Sequence, residues 1–181
     1  MANFNTFRTI YRSSTQLFSI YLESFVQLFI RIVVARIFLN SGLTKWNGPF
    51  QFNAEKYDLF MYEFFCPEPA RPGALQLCSA DTLEYVDGSI TVSIIHILAV
   101  ATGILEIVLP LLLIAGLFSR YAAIGLLVMT IFIQLAIFPS LDHWWNPAVW
   151  WAMALLAIIA TGPGKWSVDH LVKIDVGRPA V

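Results

Sequence analysis

The chain reads as an all-α integral membrane protein: a four-helix transmembrane bundle, up-down-up-down, with a loop and short helix capping it between helices 1 and 2. Three observations predict this. Of its 181 residues, 58% are hydrophobic and 13% charged, whereas a soluble domain carries about 25% charged residues. Four stretches are apolar for long enough to cross the hydrocarbon, which takes about 20 residues of helix. One hydrophilic interruption, residues 46–89, separates the first stretch from the other three. The whole chain is then one membrane domain, residues 1–181.

The first span is expected over residues 17–43. No small-residue cleavage site follows a compact apolar core there, so it reads as a retained helix and not a signal peptide. The second span, residues 90–117, is the most apolar and carries Glu106 in its middle. The third and fourth, residues 121–138 and 144–161, are short and would tilt little. The tight turn Phe118-Ser119-Arg120 joins spans two and three.

Orientation follows from the bias of Lys and Arg towards the cytoplasmic side. Arg8, Arg12, Arg120, Lys165, Lys173 and Arg178 fall on one side. Lys45, Lys56 and Arg71 are spread over the long loop on the other. Both termini are therefore expected to be cytoplasmic. Trp46, Trp144, Trp145, Trp150 and Trp151 cluster near the outer face and Trp166 near the inner one, as an anchoring belt. The net charge of −1 and scattered basic residues give no nucleic-acid signal. No phosphate loop, zinc-ligand cluster or nucleophile elbow is present, and no metal site is expected.

The outer loop is acidic, with Glu55, Asp58, Glu63, Glu68, Asp81, Glu84 and Asp87. Asn53 can cap a short helix running to about Phe65, lying on the membrane or over the bundle mouth. CPEPARPG, residues 66–73, then breaks it, because each Pro lacks an amide donor and biases its predecessor to extended backbone. Both cysteines, Cys66 and Cys78, lie in this loop. On the expected topology they face an oxidising compartment, and a disulfide is expected. There is no Cys-x-x-Cys to suggest an exchanging thiol pair.

Polar groups within the spans are costly, and are read first as functional. They are Arg31 and Arg36 in the first, His96 and Glu106 in the second, and Gln134 in the third. Placing Lys45 level with Ser89 at the outer boundary puts Arg31 about 21 Å and Glu106 about 26 Å down their helices at 1.5 Å per residue. An Arg31–Glu106 pair is therefore expected, either a polar centre for a ligand headgroup or proton, or a clamp that sets helix register. Pro110 removes the amide that would bond the Glu106 carbonyl and can kink the helix there. His96 reads as a hydrogen-bonded interior residue or a proton gate, and Gln134 as an interhelical hydrogen-bonding group.

Three motifs in order resemble the DoxX family of small four-span membrane proteins, its proteobacterial branch in particular. The first runs from Arg31 through Phe38 and Gly42 to Lys45. The second runs from Gly103 and Glu106 to Gly116 and Arg120, with Pro110 where the family often has glycine. The third is Gly162-Pro163-Gly164, then Ser167 and Asp169. The resemblance covers residues 25–172 and implies a bacterial inner-membrane location. It also implies association with redox complexes, disulfide maturation or metal-linked peptide pathways, and it carries fold better than function.

Two functions are expected from different classes. One is a redox-associated subunit that binds a quinone near the Arg31–Glu106 level or under the outer loop, with its electrons supplied by a partner. On this reading the protein is at most the membrane subunit of an oxidoreductase, and no cofactor besides quinone is implied. The other is a non-enzymatic scaffold or assembly partner for an extracytoplasmic protein that handles metal or thiols. Lipid contact and a protein partner are expected on either reading, and a homo-oligomer is compatible with both. A transporter ranks third, since four spans without an internal repeat are few for a carrier.

Overall fold

The computed structural model describes residues 2–79, 82–86 and 88–174, with side chains from Tyr21 onward. Arg8, Arg12, Asp81, Asp87 and Arg178 of the sequence reading lie outside the described side chains.

Helix α1, Ala2–Leu43, leads into a small hairpin of β1, Trp46–Gly48, and β2, Gln51–Phe52. Helix α2, Ala54–Asp58, follows and widens into a π-helical turn, Leu59–Phe64. An extended segment leads to α3, Ile90–Ala115. Helix α4, Ser119–Phe132, ends in a second π-helical turn, Ile133–Ile137. A short α5, Leu141–His143, passes through a third, Trp144–Ala148, into α6, Val149–Thr161. Helix α7, Val168–Leu171, is the last described element.

Among the described residues, three helical stretches are long and apolar enough to cross a membrane: Ile90–Ala115, Ser119–Ile137 and Leu141–Thr161. They agree within a few residues with the expected second, third and fourth spans. The expected first span over 17–43 is not among the three. It is part of the longer α1, which carries Glu23, Arg31 and Arg36. Pro110 lies inside an unbroken α3.

Capping explains the boundaries. The Asn53 side chain accepts the Glu55 amide at the start of α2, as the sequence predicts, and Ser89 accepts the Val92 amide at the start of α3. Gly116 ends α3 in the left-handed region (φ 72°), where its amide meets the Leu112 and Leu113 carbonyls. A side chain at 116 would also collide with Arg31 and Ser167.

Register is set by close approaches. A Cβ on Gly42 would lie 2.9 Å from Glu106, and one on Gly125 would lie 2.8 Å from Leu109. Trp46 and Phe52 cover Gly103, and the Tyr57 ring meets His96 at 4.3 Å. Thus α1 stops beside Glu106, past the midpoint of α3. The hairpin and α2 then run along the N-terminal half of α3. Two buried clusters follow this division. One joins Val34, Ala35 and Phe38 of α1 to Leu113, Leu126 and Leu155 of the bundle. The other joins Phe60 and Phe65 of the cap to Ile95, Ala99 and Ile137.

The cap is bound to the bundle as well as packed on it. The Leu75 amide donates to the Ala136 carbonyl at 2.7 Å, and Arg71 lies 4.5 Å over the Phe138 ring. The Cys66–Cys78 disulfide is formed, with Cys66 buried. The Tyr85 hydroxyl donates to the Met61 carbonyl at 2.8 Å. Burial, with Tyr62 beside it, pushes the Tyr85 phenol up to about 12.

Candidate functional site

The buried ionisable groups fall into two separate centres, and the expected Arg31–Glu106 pair is not formed. Glu106, 4% exposed, pairs instead with Lys45, Nζ to Oε2 at 2.5 Å. Among the described residues this is the one ion pair. The expectation failed on register. Ser89 is not level with Lys45; Glu106 is. Gly42 lets the α1 backbone approach Glu106 closely, and Lys45 follows three residues later, where the chain leaves the helix. The Lys45 ammonium also donates to the Ser41 carbonyl and hydroxyl.

Arg31 is wholly buried where α3 meets α4. It donates to the Trp166 carbonyl at 2.5 Å and the Leu113 carbonyl at 3.4 Å. Nearby Asp169, 1% exposed, accepts the Phe118 and Ser119 amides at 2.8 and 2.9 Å. This carboxylate therefore caps α4, where a negative charge meets the positive end of the helix dipole. Ser167 accepts the His170 amide and starts α7. Arg120 reaches back to the Ile159 and Ala160 carbonyls at the end of α6. Gly162, Pro163 and Gly164 make the turn that brings Trp166 to Arg31, with Gly164 packed against Gln27. Two buried atoms, Arg31 Nε and Ser119 Oγ, have no partner among the described residues.

The remaining candidates separate further. Arg36 is exposed on α1. Gln134 is buried and bonds His143 Nδ1 at 2.6 Å and the Ser140 carbonyl at 2.9 Å, with Phe138 stacked on His143. Phe38 is core and contacts Trp151 at 6.0 Å.

His96 lines a surface depression of about 390 Å³ with Tyr57, Ile97, Val100, Ala101 and Ile104. Ile104 also lines a larger neighbour of about 590 Å³, whose other wall is the hairpin: Trp46, Gly48, Pro49 and Phe50. Together they form a trough along one face of α3. Its lining carries no Asp, Glu, Lys or Arg; its hydrogen-bonding side chains are His96 and Tyr57 at one end and Trp46 in the middle. Trp46 Nε1 is buried with no partner among the described residues. Sequence reasoning named His96 and Trp46 but missed Tyr57 and Phe50, which nothing in their local pattern distinguishes from other loop aromatics. Lys45 was named as a motif residue but placed at the membrane boundary. Its recurrence with Glu106 in one resemblance was the available signal of a pair. Among the described residues, no group of three or more His, Cys, Asp or Glu is arranged to hold a metal.

A family model described as DoxX matches residues 26–139. A protein of Haemophilus influenzae described as uncharacterized is 29% identical over 151 residues, which is 81% of this chain and 82% of that protein. No solved structure matches.

Proposed function

The chain belongs to the DoxX family of membrane proteins, and from that premise we propose that it is a redox-associated inner-membrane subunit binding a quinone in the α3 trough. The observation that carries this reading is the trough itself: an apolar slot with His96 and Tyr57 at one end and Trp46 along its wall. Lipophilic ligands occupy sites that are mostly apolar with a few placed polar groups. The slot suits a prenyl tail, and His96 and Tyr57 supply donors and acceptors for the carbonyls of a quinone ring. Bound quinone supplies the redox chemistry and a partner protein supplies the electrons. The residues of this chain orient the ring and shield the tail, with His96 and Tyr57 placed to hydrogen-bond its carbonyls. Lys45–Glu106 then acts as the clamp that holds α1 at its register behind the trough.

The same reading has the chain cross the membrane four times, up-down-up-down, with both termini cytoplasmic. The described basic residues Arg120, Lys165 and Lys173 lie at the end of the bundle where α3 meets α4 and α6 closes, which supports that orientation. The exposed acids Glu55, Asp58 and Glu63 of the cap favour a second reading, a scaffold that docks an extracytoplasmic partner.

The deciding experiment is extraction of quinone from the full chain purified in mild detergent, beside the trough-filling variant Val100→Trp. Near-stoichiometric quinone in the parent, lost in a Val100→Trp protein with unchanged melting, supports the site. Quinone absent from both, or equal in both, counts against it. Loss of a partner pull-down on replacing residues 53–64, with no quinone in any sample, supports the scaffold.

A further inference from the structure

We propose that the first membrane crossing is composite: α1 traverses only half of the bilayer, and the β1–β2 hairpin is embedded near the midplane with Phe50 among lipid acyl chains. This rests on the reading of α3 and α4 as membrane-spanning helices.

Two helix–helix contacts, read against the α4 span, fix the depth. Gly42 of α1 meets Glu106, sixteen residues into α3, Ile90–Ala115. Leu109 meets Gly125, so in this antiparallel pair Glu106 lies level with residue 128. That is the midpoint of the Ser119–Ile137 span. At 1.5 Å per residue, α4 and its π-turn reach about 14 Å to either side, close to the half-thickness of a hydrocarbon core. The end of α1 and the start of the hairpin therefore lie at mid-depth. The cap covers the remaining half. Its Phe60 and Phe65 pack with Ile95, Ala99 and Ile137, and its Leu75 amide reaches the Ala136 carbonyl.

The local chemistry fits that depth. Irregular backbone is tolerated within hydrocarbon only where its polar groups are met internally. Thr44 Oγ1 and Lys45 Nζ donate to the Ser41 carbonyl, one of those that α1 leaves open at its end. The Lys45 amide donates to Gly42 and the Asn53 amide to Lys45. Residues 46–52, WNGPFQF, hold no charge. Phe50 is 100% exposed, with Leu43 beside it on the same slot. A fully exposed aromatic tip is costly in water and favourable in hydrocarbon. The exposed acids Glu55, Asp58 and Glu63 all come after the hairpin, on the segment that climbs from Lys45 towards His96 and the start of α3.

The test is a nitroxide label on Phe50→Cys in the full chain, reconstituted in phosphatidylcholine vesicles. The native cysteines are bonded to each other, so the introduced thiol is the one labelled. Collision rates with oxygen and with a water-soluble nickel chelate are compared with Val128→Cys, at mid-depth on α4, and Val86→Cys, just before α3. We expect the oxygen-to-chelate ratio at 50 to lie within about twofold of that at 128 and roughly tenfold above that at 86, since water is scarce in the core. Leu43→Cys gives the same reading if the Phe50 variant does not fold. A ratio at 50 equal to that at 86 overturns the proposal. So does low collision with both reagents, which means a protein contact in place of acyl chains. A chelate-accessible label at 128 instead removes the membrane-spanning reading of α4 on which the proposal stands.

Discussion

The two buried charged centres solve the same problem in different ways. Lys45 and Glu106 neutralise each other directly, between the end of α1 and the interior of α3. Arg31 and Asp169, where α3 meets α4, are satisfied mainly by backbone: two carbonyls for the cation and two amides for the carboxylate. A direct pair depends on both partners at once. Charges held by backbone groups depend on the turns that present those groups. The first centre therefore sets the register of two helices, and the second ties α1, the α3–α4 turn and the segment after α6 into one joint.

The largest expected effect comes from breaking the direct pair. Lys45→Met or Glu106→Leu alone leaves an uncompensated buried charge and should cost about 3–5 kcal/mol. The double variant should recover most of that, since an apolar pair of similar volume is often neutral. Reversible unfolding in mixed micelles gives all three values; a double variant as unstable as the singles would contradict the clamp.

At the other centre the turn itself is the target. Gly116→Ala places a Cβ against Arg31 and Ser167 at φ 72° and should cost about 2–3 kcal/mol from strain and overpacking. The same unfolding series should show a loss well beyond that of Gly88→Ala, whose Cβ meets nothing within 4 Å although its φ is also positive.

Asp169→Asn keeps the shape of the α4 cap and removes its charge. A loss of about 1 kcal/mol is expected, the difference between charged and neutral caps at a helix N-terminus. Hydrogen exchange should quicken at Phe118 and Ser119 before it does elsewhere in α4. Uniform exchange across α4 would argue that Asp169 does not act through the cap.

The smallest effect is expected at Arg36, which is exposed on α1 and belongs to neither centre. Arg36→Leu should change stability by less than about 0.5 kcal/mol. A loss comparable to that of the Lys45 variant would mean that Arg36 has a partner beyond the single chain.

Much of the fold could be read from local pattern. Three helices long and apolar enough to span appear near the expected positions, because long apolar runs need no tertiary context to be recognised. The Asn53 cap and the disulfide between the two cysteines were also accessible from residue type. The site was less legible. Glu106 was recognised as a buried carboxylate, but its partner was misassigned because depth was counted from an assumed common boundary. Tyr57 and Phe50 lie in a loop whose path cannot be derived from hydropathy.

By itself the sequence determined that this is a helical membrane protein of the DoxX type, with buried charges that must be satisfied and a cystine-linked insertion. Those properties follow from composition, run length and motif order, which are local. Only the tertiary structure decided that α1 ends beside Glu106, past the midpoint of α3, that Lys45 answers Glu106 and that the insertion lies beside α3. These depend on where one helix backbone can approach another, and the approach of Gly42 to Glu106 settles that through packing, not through the polarity of either helix.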